Sequence, residues 1–347
     1  MKVFEEPTFG EKMKLEEEFY DDEFYLSYSG LNKLLFSPDA FYRHYVLGQK
    51  DDTSTQAMIE GSLLHCLLLQ PKFFDDYYVL NHEDTPSPAQ VGLIKHLYGY
   101  YEQDVKNEAY VREDLSEYSE EILDHLQDIA LYQSLKNDTG RLAKVLTPKS
   151  EAYFEYLKIA DGKTVIDHDV YNHIQEAVEK IKSNPSVMEC LGFFADSMNG
   201  IETKNELMLA YPDTGYLFGI RGMIDNLVFD PQRKEIRIND LKSSGKNLAS
   251  FSESIEYYKY WIQAAIYTKL VTKVYLNKPE YNGWKTTYRF VVVDKYCTTG
   301  IIKISDDTLL QWMEETHKLL DQANYHFEKR DFKLPYEFLI NGNELVI

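Results

Sequence analysis

Two acidic residues and one lysine lie on consecutive strand-like segments in the second half of the chain. Asp225 falls within the segment from Leu217 to Phe229, between apolar neighbours. In the segment from Glu235 to Lys242, the alternation of a strand places Asp240 and Lys242 on the same face. Carboxylate oxygens suit Mg²⁺ or Mn²⁺, and a neighbouring lysine can orient or deprotonate an attacking water. The pattern therefore predicts a divalent-metal site that could hydrolyse a phosphate ester.

Other polar side chains are candidates for the same site. His65 lies in an apolar helix predicted over residues 57–70, where a lone histidine is more often a satisfied core residue than a ligand. Gln263 and Tyr267 are one helical turn apart, and Lys259 lies one turn earlier. We interpret these three as contacts to a substrate strand, with a buried packing stripe as the alternative.

Three more positions could bind anions or assist the metal site. Ser29 or Ser27 begins a predicted helix, whose exposed N–H groups favour a terminal phosphate, although ordinary capping explains either serine. Arg221 is expected on the same strand face as Asp225, and it could contact phosphate or pair with a core carboxylate. Glu206 is an exposed charge at a strand edge or, by resemblance to the family that the motifs indicate, an accessory residue of the site.

The composition limits the classes of function. The 37 Lys and Arg against 57 Asp and Glu give a net charge of −20, which argues against a wide basic surface but not against a confined basic groove. Cys66, Cys190 and Cys297 are scattered without a Cys-x-x-Cys pair, so a zinc ribbon or an iron–sulfur cluster is not expected. No apolar stretch reaches the roughly 20 residues of a bilayer span. We expect a soluble cytoplasmic protein without a membrane partner.

The order of the predicted elements favours one α/β domain. Residues 1–25 form an acidic N-terminal arm, read as extended chain or a solvated start, and residues 26–347 form a single domain. A mainly helical segment is inserted at about 85–190, with one aromatic-rich strand at Glu151 to Ile159. A meander of strands, a long helix at about Phe251 to Tyr275, two more strands and a last helix follow.

Read in order, the motifs resemble those of a known family. Gly222-Met-Ile-Asp225 followed by Asn239-Asp240-Leu-Lys242 resembles the Asp…(Asp/Glu)-x-Lys signature of the PD-(D/E)xK nuclease superfamily. Gln263-Ala-Ala-Ile-Tyr267 matches the Gln-x-x-x-Tyr motif of its RecB, RecE and lambda-exonuclease branch. Gly61-Ser-Leu-Leu-His65 resembles the Gly-x-x-x-His helix of that branch. The opening Leu26-Ser-Tyr-Ser-Gly-Leu with Ser37-Pro38 is similar to the start of the RecE-like catalytic domain. Each motif alone is weak, and their common order carries the resemblance.

The resemblance implies a fold and a set of roles. The fold would be a restriction-endonuclease-like core, with a central mixed β-sheet flanked by helices. The metal ligands would be His65, Asp225, Asp240 and the carbonyl of Leu241. Lys242 would activate water, and Gln263 and Tyr267 would position the strand.

The resemblance also implies a substrate and partners. It indicates an Mg²⁺- or Mn²⁺-dependent exodeoxyribonuclease acting on double-stranded DNA ends, 5′ to 3′, in phage-type recombination or repair within a bacterial or phage-infected cell. A ring homo-oligomer, a trimer or tetramer, and a single-strand annealing protein would be its partners. Two alternatives stay open: a catalytically silent nuclease-fold module for binding or assembly, and an endonuclease of the same superfamily.

Overall fold

The structure of the chain is a computed structural model that describes residues 9–21, 25–49, 55–108, 110–193 and 200–345. The chain divides into two compact units. The sheet unit comprises Met1–Lys72 and Asn172–Ile347, and the helical unit comprises Phe73–Tyr171. The expectation of a single nuclease domain over residues 26–347 stays a prediction. Among the described residues, no helix is both long and apolar enough to cross a membrane.

A six-stranded mixed sheet forms the centre of the sheet unit. Its strands are β1 (Tyr25–Leu26), β4 (Glu202–Tyr211), β5 (Gly219–Asp230), β6 (Glu235–Ser244), β7 (Lys285–Asp294) and β8 (Thr299–Lys303). Strand β5 pairs antiparallel with β4 and β6 and parallel with β1. Strand β6 runs parallel to β7, which is antiparallel to β8. A central mixed sheet flanked by helices confirms the predicted α/β fold class.

Helices account for most of the remaining sheet unit. They are α1 (Phe9–Asp21), α2 (Tyr28–Phe36), α3 (Pro38–Phe41), α4 (Gln56–Leu69), α11 (Pro185–Cys190), α12 (Phe251–Tyr257), α13 (Tyr260–Val271), α14 (Asp306–Lys329) and α15 (Tyr336–Ile340). Ser37 ends α2 and its side chain caps α3, as the Ser-Pro pair predicts.

The central strands and their covering helix form the core that positions the site. In β6 every residue from Glu235 to Leu241 is buried, and in β5 only Met223 is partly exposed. Helix α13 packs against β5 and β7 and contributes Ile262, Ile266 and Leu270 to the same core. Strands that are buried on both faces are held in one register, because a shift of one residue would turn every side chain to the other face.

The helical unit has a small core of its own. Its elements are α5 (Phe74–Tyr77), β2 (Tyr78–Leu80), α6 (Pro88–Lys106), α7 (Ser119–Asp128), α8 (Asp138–Val145), α9 (Pro148–Ala160) and β3 (Thr164–Ile166), followed by α10 (His168–Lys182), which continues into the sheet unit. Strands β2 and β3 pair in parallel. Leu97, Tyr118, Ile122 and Phe154 are among its fully buried residues.

Three sequence-based expectations about elements are wrong. Glu151 to Ile159 is not a strand but part of helix α9, whose start is set by the Thr147 cap and Pro148 in the first turn. Residues 9–21 are not extended but form α1. The single helix expected at Phe251 to Tyr275 is divided, because Lys259 adopts a left-handed conformation with φ 55° between α12 and α13.

Candidate metal centre

One imidazole and two carboxylates converge at the central strands. His65 of α4, Glu206 of β4 and Asp225 of β5 each offer an atom that could ligate a metal, and these atoms lie within 4.8 Å of one another. The Nδ1 atom of His65 is 3.1 Å from Glu206 Oε1, and its Nε2 atom is 3.7 Å from Asp225 Oδ2. Within the described part of the chain, no other His, Cys, Asp and Glu side chains form such a group.

Backbone atoms of β6 complete the cluster. The N–H of Leu241 donates to Asp225 Oδ2 over 2.7 Å, and the Leu241 carbonyl oxygen lies 3.0 Å from His65 Nε2. Helix α4 reaches this point because Thr55 caps its first turn and its leucines are buried against the sheet unit's core. The Leu241 backbone therefore adjoins both His65 and Asp225, and its carbonyl as a metal ligand stays a prediction.

Glu206 has an unusual backbone for a strand residue. Its φ is 48°, in the left-handed region, where a residue with a Cβ is disfavoured by about 1–2 kcal/mol. Asn205 pairs with Asn226 and Leu207 pairs with Ile224, so this register places Glu206 opposite Asp225. Such local strain is found at functional sites, where the rest of the fold maintains it. The sequence identified Glu206 as a candidate but gave no sign of this backbone conformation.

Asp240 and Lys242 lie beside the cluster, next to α13. The Nε2 group of Gln263 donates to Asp240 Oδ1 over 2.8 Å, and the Lys242 ammonium is 2.6 Å from Asp240 Oδ2. Asp240 is almost completely buried. The structure thus brings together five of the motif residues expected from the sequence, His65, Asp225, Asp240, Lys242 and Gln263. It places Asp240 against Gln263 and Lys242. Its assignment as a metal ligand stays a prediction.

The ionisable groups of the cluster strongly shift one another's pKa values. Burial raises the pKa of Asp240 to about 6, although the charge of Lys242 opposes the shift. Burial also raises the pKa of Asp225, against the charges of His65 and Lys242. Burial would lower the pKa of His65, but Asp225 and the Glu206 hydrogen bond outweigh it and raise that pKa to about 9. The pKa of Lys242 is raised because Asp240 and Asp225 outweigh its burial.

The donor set fits a divalent cation. Three carboxylates are gathered with a single lysine, and clustered carboxylates are costly to ionise unless positive charge compensates them. Oxygen donors with one imidazole match the preferences of Mg²⁺ and Mn²⁺, which accept carboxylates and keep water ligands.

A cavity of about 250 Å³ opens next to Lys242. Its wall is formed by residues of α2, β5, β6 and α13, among them Ser29, Gly222, Lys242, Gln263 and Tyr267. Gly222 is required here because a Cβ would lie 2.5 Å from the Tyr267 ring. The Gln-x-x-x-Tyr pair therefore faces the same space as the lysine, as expected from their helical spacing.

Only some of the residues that we expected to contact anions line this cavity. Ser27 and Ser29 both line the cavity; Ser27 is the N-cap of α2 and accepts from Gly30 N over 3.1 Å, whereas Ser29 lies in the first turn. Arg221 does not line it; the side chain is buried and donates to the Phe19 carbonyl over 2.5 Å. Lys259 does not lie one turn before Gln263 in a continuous helix, because the helix is interrupted at Lys259 itself.

The comparison with known protein families agrees with this architecture. The family model described as the PD-(D/E)XK nuclease superfamily matches residues 25–334. No curated protein matches the chain. The chain is similar to a crystal structure from Eubacterium rectale described as a "putative exonuclease", with 13% sequence identity, a TM-score of 0.45, and coverage of 99% of this chain and 89% of that chain.

Proposed function

The chain belongs to the PD-(D/E)XK nuclease superfamily, and we propose that it is a metal-dependent exodeoxyribonuclease acting on double-stranded DNA ends. The observation that carries this proposal is the meeting of His65, Glu206 and Asp225, from three separate elements, beside the paired Asp240 and Lys242. Residues so far apart in the chain have no packing reason to share one polar cluster.

We assign the metal site to His65, Asp225 and Asp240, with Glu206 and the Leu241 carbonyl as further oxygen donors. When bound there, Mg²⁺ or Mn²⁺ would stabilise negative charge that develops on the phosphate. The imidazole and the two carboxylates would hold the ion, and the Leu241 N–H keeps Asp225 in place through its 2.7 Å hydrogen bond.

Lys242 provides the positive charge on the substrate side. Its ammonium is held 2.6 Å from Asp240 and faces the cavity, where it would orient water and a phosphate oxygen. Gln263 fixes Asp240 through a hydrogen bond, and Tyr267 covers the strand at Gly222. Both side chains would position the scissile strand, because groups held in a fixed geometry avoid the entropic cost of orientation.

The net charge of −20 is compatible with this function if positive charge is confined to the DNA path. We propose a ring homo-oligomer, a trimer or tetramer, whose inner surface holds the duplex while the acidic exterior repels it. By family resemblance we propose 5′ to 3′ degradation in phage-type recombination or repair, in the cytoplasm of a bacterial or phage-infected cell, with a single-strand annealing protein as partner.

The test is digestion of linear duplex DNA labelled at its 5′ ends, with Mg²⁺, with Mn²⁺ and with EDTA. The proposal expects release of labelled nucleotide only with metal, and loss of that activity by at least about a hundredfold in Lys242→Ala. A matched control is Lys246→Ala, four residues after Lys242, which removes an exposed lysine that pairs with Glu253. Lack of cleavage by the wild type, or equal cleavage by Lys242→Ala, would contradict the proposal.

Two further readings predict different outcomes. An endonuclease would cut covalently closed circular duplex, which an exonuclease leaves intact. A catalytically silent module would bind DNA or a protein without releasing label, and its acidic surface favours this reading. Calorimetric titration with Mn²⁺ separates it from an enzyme, because the catalytic proposal requires binding that is lost in Asp225→Asn and Asp240→Asn.

A further inference from the structure

A row of contacting aromatic side chains extends from the core to the surface beside Lys242. The buried rings of Phe290 and Phe251 have centroids 5.6 Å apart, and Phe251 is stacked with Tyr260 at 6.2 Å. Tyr260 is stacked with Tyr258 at 5.3 Å and an interplanar angle of 25°. Tyr257 then meets Tyr258 edge to face at 4.9 Å.

The outer two rings are exposed to solvent. Tyr258 is 51% exposed and Tyr257 is 78% exposed, whereas Phe251 and Phe290 are buried. Single exposed aromatics are common on protein surfaces. This row differs from single exposed aromatics because it reaches the candidate centre. Tyr260 lines the cavity, and the Lys242 ammonium lies 4.9 Å from the Tyr260 ring centroid.

A strained residue produces the stack. Residues two positions apart do not face each other on a regular helix. Lys259, between Tyr258 and Tyr260, has φ 55° and ψ 40°, and this left-handed turn brings the two rings together. The hydroxyl of Tyr28, another residue of the cavity wall, donates to the Tyr258 carbonyl and holds the turn. The fold thus maintains a disfavoured backbone conformation at this position.

We propose that Tyr258, with Tyr257 beside it, is a stacking site for an unpaired nucleobase of the strand whose phosphate lies at Lys242. This inference rests on the proposed nuclease function and names its substrate more closely. A base inside a duplex is already stacked on both sides, so beyond the terminal pair only a base released from pairing can place its face on a tyrosine ring. Stacking of a base on an aromatic side chain contributes about 1–3 kcal/mol and is tolerant of sequence.

The test compares two labelled DNA hairpins that differ only in a short single-stranded extension, one of thymidines and one of abasic residues. Both carry the same phosphates, so the difference reports the bases alone. Binding is measured by fluorescence anisotropy with Ca²⁺ in place of Mg²⁺, and the DNA is checked to be intact afterwards. We expect the wild type to bind the thymidine extension about fivefold to a hundredfold more tightly.

Variants then test whether Tyr258 and Tyr257 cause the preference for the thymidine extension. Tyr258→Phe should keep it, and Tyr258→Leu combined with Tyr257→Leu should bring the ratio of the two dissociation constants close to one. Tyr296→Leu, which replaces an exposed tyrosine of the β7–β8 turn, should leave it unchanged. Equal wild-type binding of both extensions, or an unchanged ratio in the double variant, contradicts the stacking site alone. No binding of either hairpin contradicts the proposed function as well.

A second observation, independent of the first, concerns three asparagines on adjacent strands. Asn205, Asn226 and Asn239 lie opposite one another across β4, β5 and β6. Asn239 Nδ2 donates to Asn226 Oδ1 over 2.7 Å, and Asn226 Nδ2 donates to Asn205 Oδ1 over 2.8 Å. Asn205 Nδ2 donates over 3.2 Å to the carbonyl of Leu69, the last residue of α4.

This amide chain adjoins the candidate centre at every step. The sequence neighbours of the three asparagines are, in order, Glu206, Asp225 and Asp240. Leu69 lies one helical turn after His65. The second N–H groups of Asn226 and Asn239 donate to the carbonyls of Leu191 and Cys190, so both amide nitrogens are fully used. We infer that these amides are positioning residues, which fix the three strands and α4 in the register that the metal site needs.

The readout is the Mn²⁺ dissociation constant, because loss of stability alone would not change it in protein that remains folded. Asn226→Leu should weaken Mn²⁺ binding by about tenfold to a hundredfold, as found for groups that orient metal ligands. Ile181→Ala, a cavity variant in the buried face of α10, should lower the melting temperature but leave the constant unchanged. Asn205→Ala removes the link to α4 and the contact with Asn226 but leaves the bond between Asn239 and Asn226, and it serves if Asn226→Leu does not fold. Wild-type Mn²⁺ affinity in either asparagine variant contradicts the inference.

Discussion

The Nδ1 atom of His65 lies 3.1 Å from a carboxylate oxygen of Glu206, although 141 residues separate the two in the chain. The contact depends on the left-handed backbone at Glu206, within an otherwise regular strand. Local strain and a buried polar contact therefore occur at the same residue. This combination is expected where a fold gives up stability in order to aim a functional group.

The first prediction separates the strain from the carboxylate. Glu206→Gly and Glu206→Ala both remove the acid, but only glycine accepts φ 48° without steric cost. We expect the glycine variant to be more stable than the alanine variant by about 1 kcal/mol in urea unfolding. Both variants should bind Mn²⁺ more weakly than the wild type. Equal stability of the two variants would show that the backbone at this position is not strained.

The second prediction concerns the close approach of α13 to β5. In Gly222→Ala the added Cβ would lie 2.5 Å from the Tyr267 ring and 3.2 Å from Leu270, so we expect a loss of about 1–3 kcal/mol. Gly61→Ala is the contrast, because its Cβ would meet only Ser243 Oγ at 3.7 Å within helix α4. That change should be neutral or stabilising by up to about 1 kcal/mol. Thermal unfolding measures both, and a stable Gly222→Ala would contradict the packing described.

The third prediction tests the Gln263–Asp240 hydrogen bond. Gln263→Leu leaves a buried carboxylate oxygen without its 2.8 Å donor and should cost about 1–3 kcal/mol, together with most of the nuclease activity. Thr268→Val on the same helix is the control. Its hydroxyl is buried and has no hydrogen-bond partner among the described residues, so its loss should be neutral or stabilising. Similar effects of the two changes on activity would argue against a special role for Gln263.

The fourth prediction is a pH dependence of stability away from the site. Burial would raise the pKa of Glu235, but the Thr287 hydroxyl, Arg289 and Arg237 outweigh it and lower that pKa below 4.5. A carboxyl whose pKa is lowered on folding adds stability above its unfolded pKa, and this contribution is lost as the pH falls through the folded pKa. Glu235→Gln should therefore be less stable than the wild type by about 1–3 kcal/mol at neutral pH.

The pH series is the check on this assignment. The difference in unfolding free energy between wild type and Glu235→Gln should shrink steadily below a pH of about 4.5. A difference that stays constant or grows in acid would mean that the carboxylate is not what stabilises this strand pair.

Much of the candidate site could be predicted because it lies on regular elements. Strand alternation placed Asp240 and Lys242 on one face, and helical spacing placed Gln263 and Tyr267 on another. What the sequence did not show depends on departures from regularity. The left-handed turns at Glu206 and Lys259 occur at residues with a Cβ, where no local signal favours them.

Other features escaped prediction for tertiary reasons. Asn226 and Asn239 look like surface amides in the sequence, but their partners come from strands and loops distant in the chain. The aromatic residues of α9 indicated a strand, whereas their burial in the helical unit's core and the Thr147 cap favour a helix. In the asparagines and in α9 alike, contacts with residues distant in the chain decide the structure, and the local sequence does not show them.

The most direct test of the account is a crystal structure of the protein with Mn²⁺, recorded near the manganese absorption edge. The account predicts an anomalous peak at about 2.0–2.4 Å from oxygen or nitrogen atoms of His65, Asp225 and Asp240, with Glu206 or the Leu241 carbonyl as a further donor. A peak elsewhere, or no peak at this cluster under conditions in which the protein is folded, would contradict it.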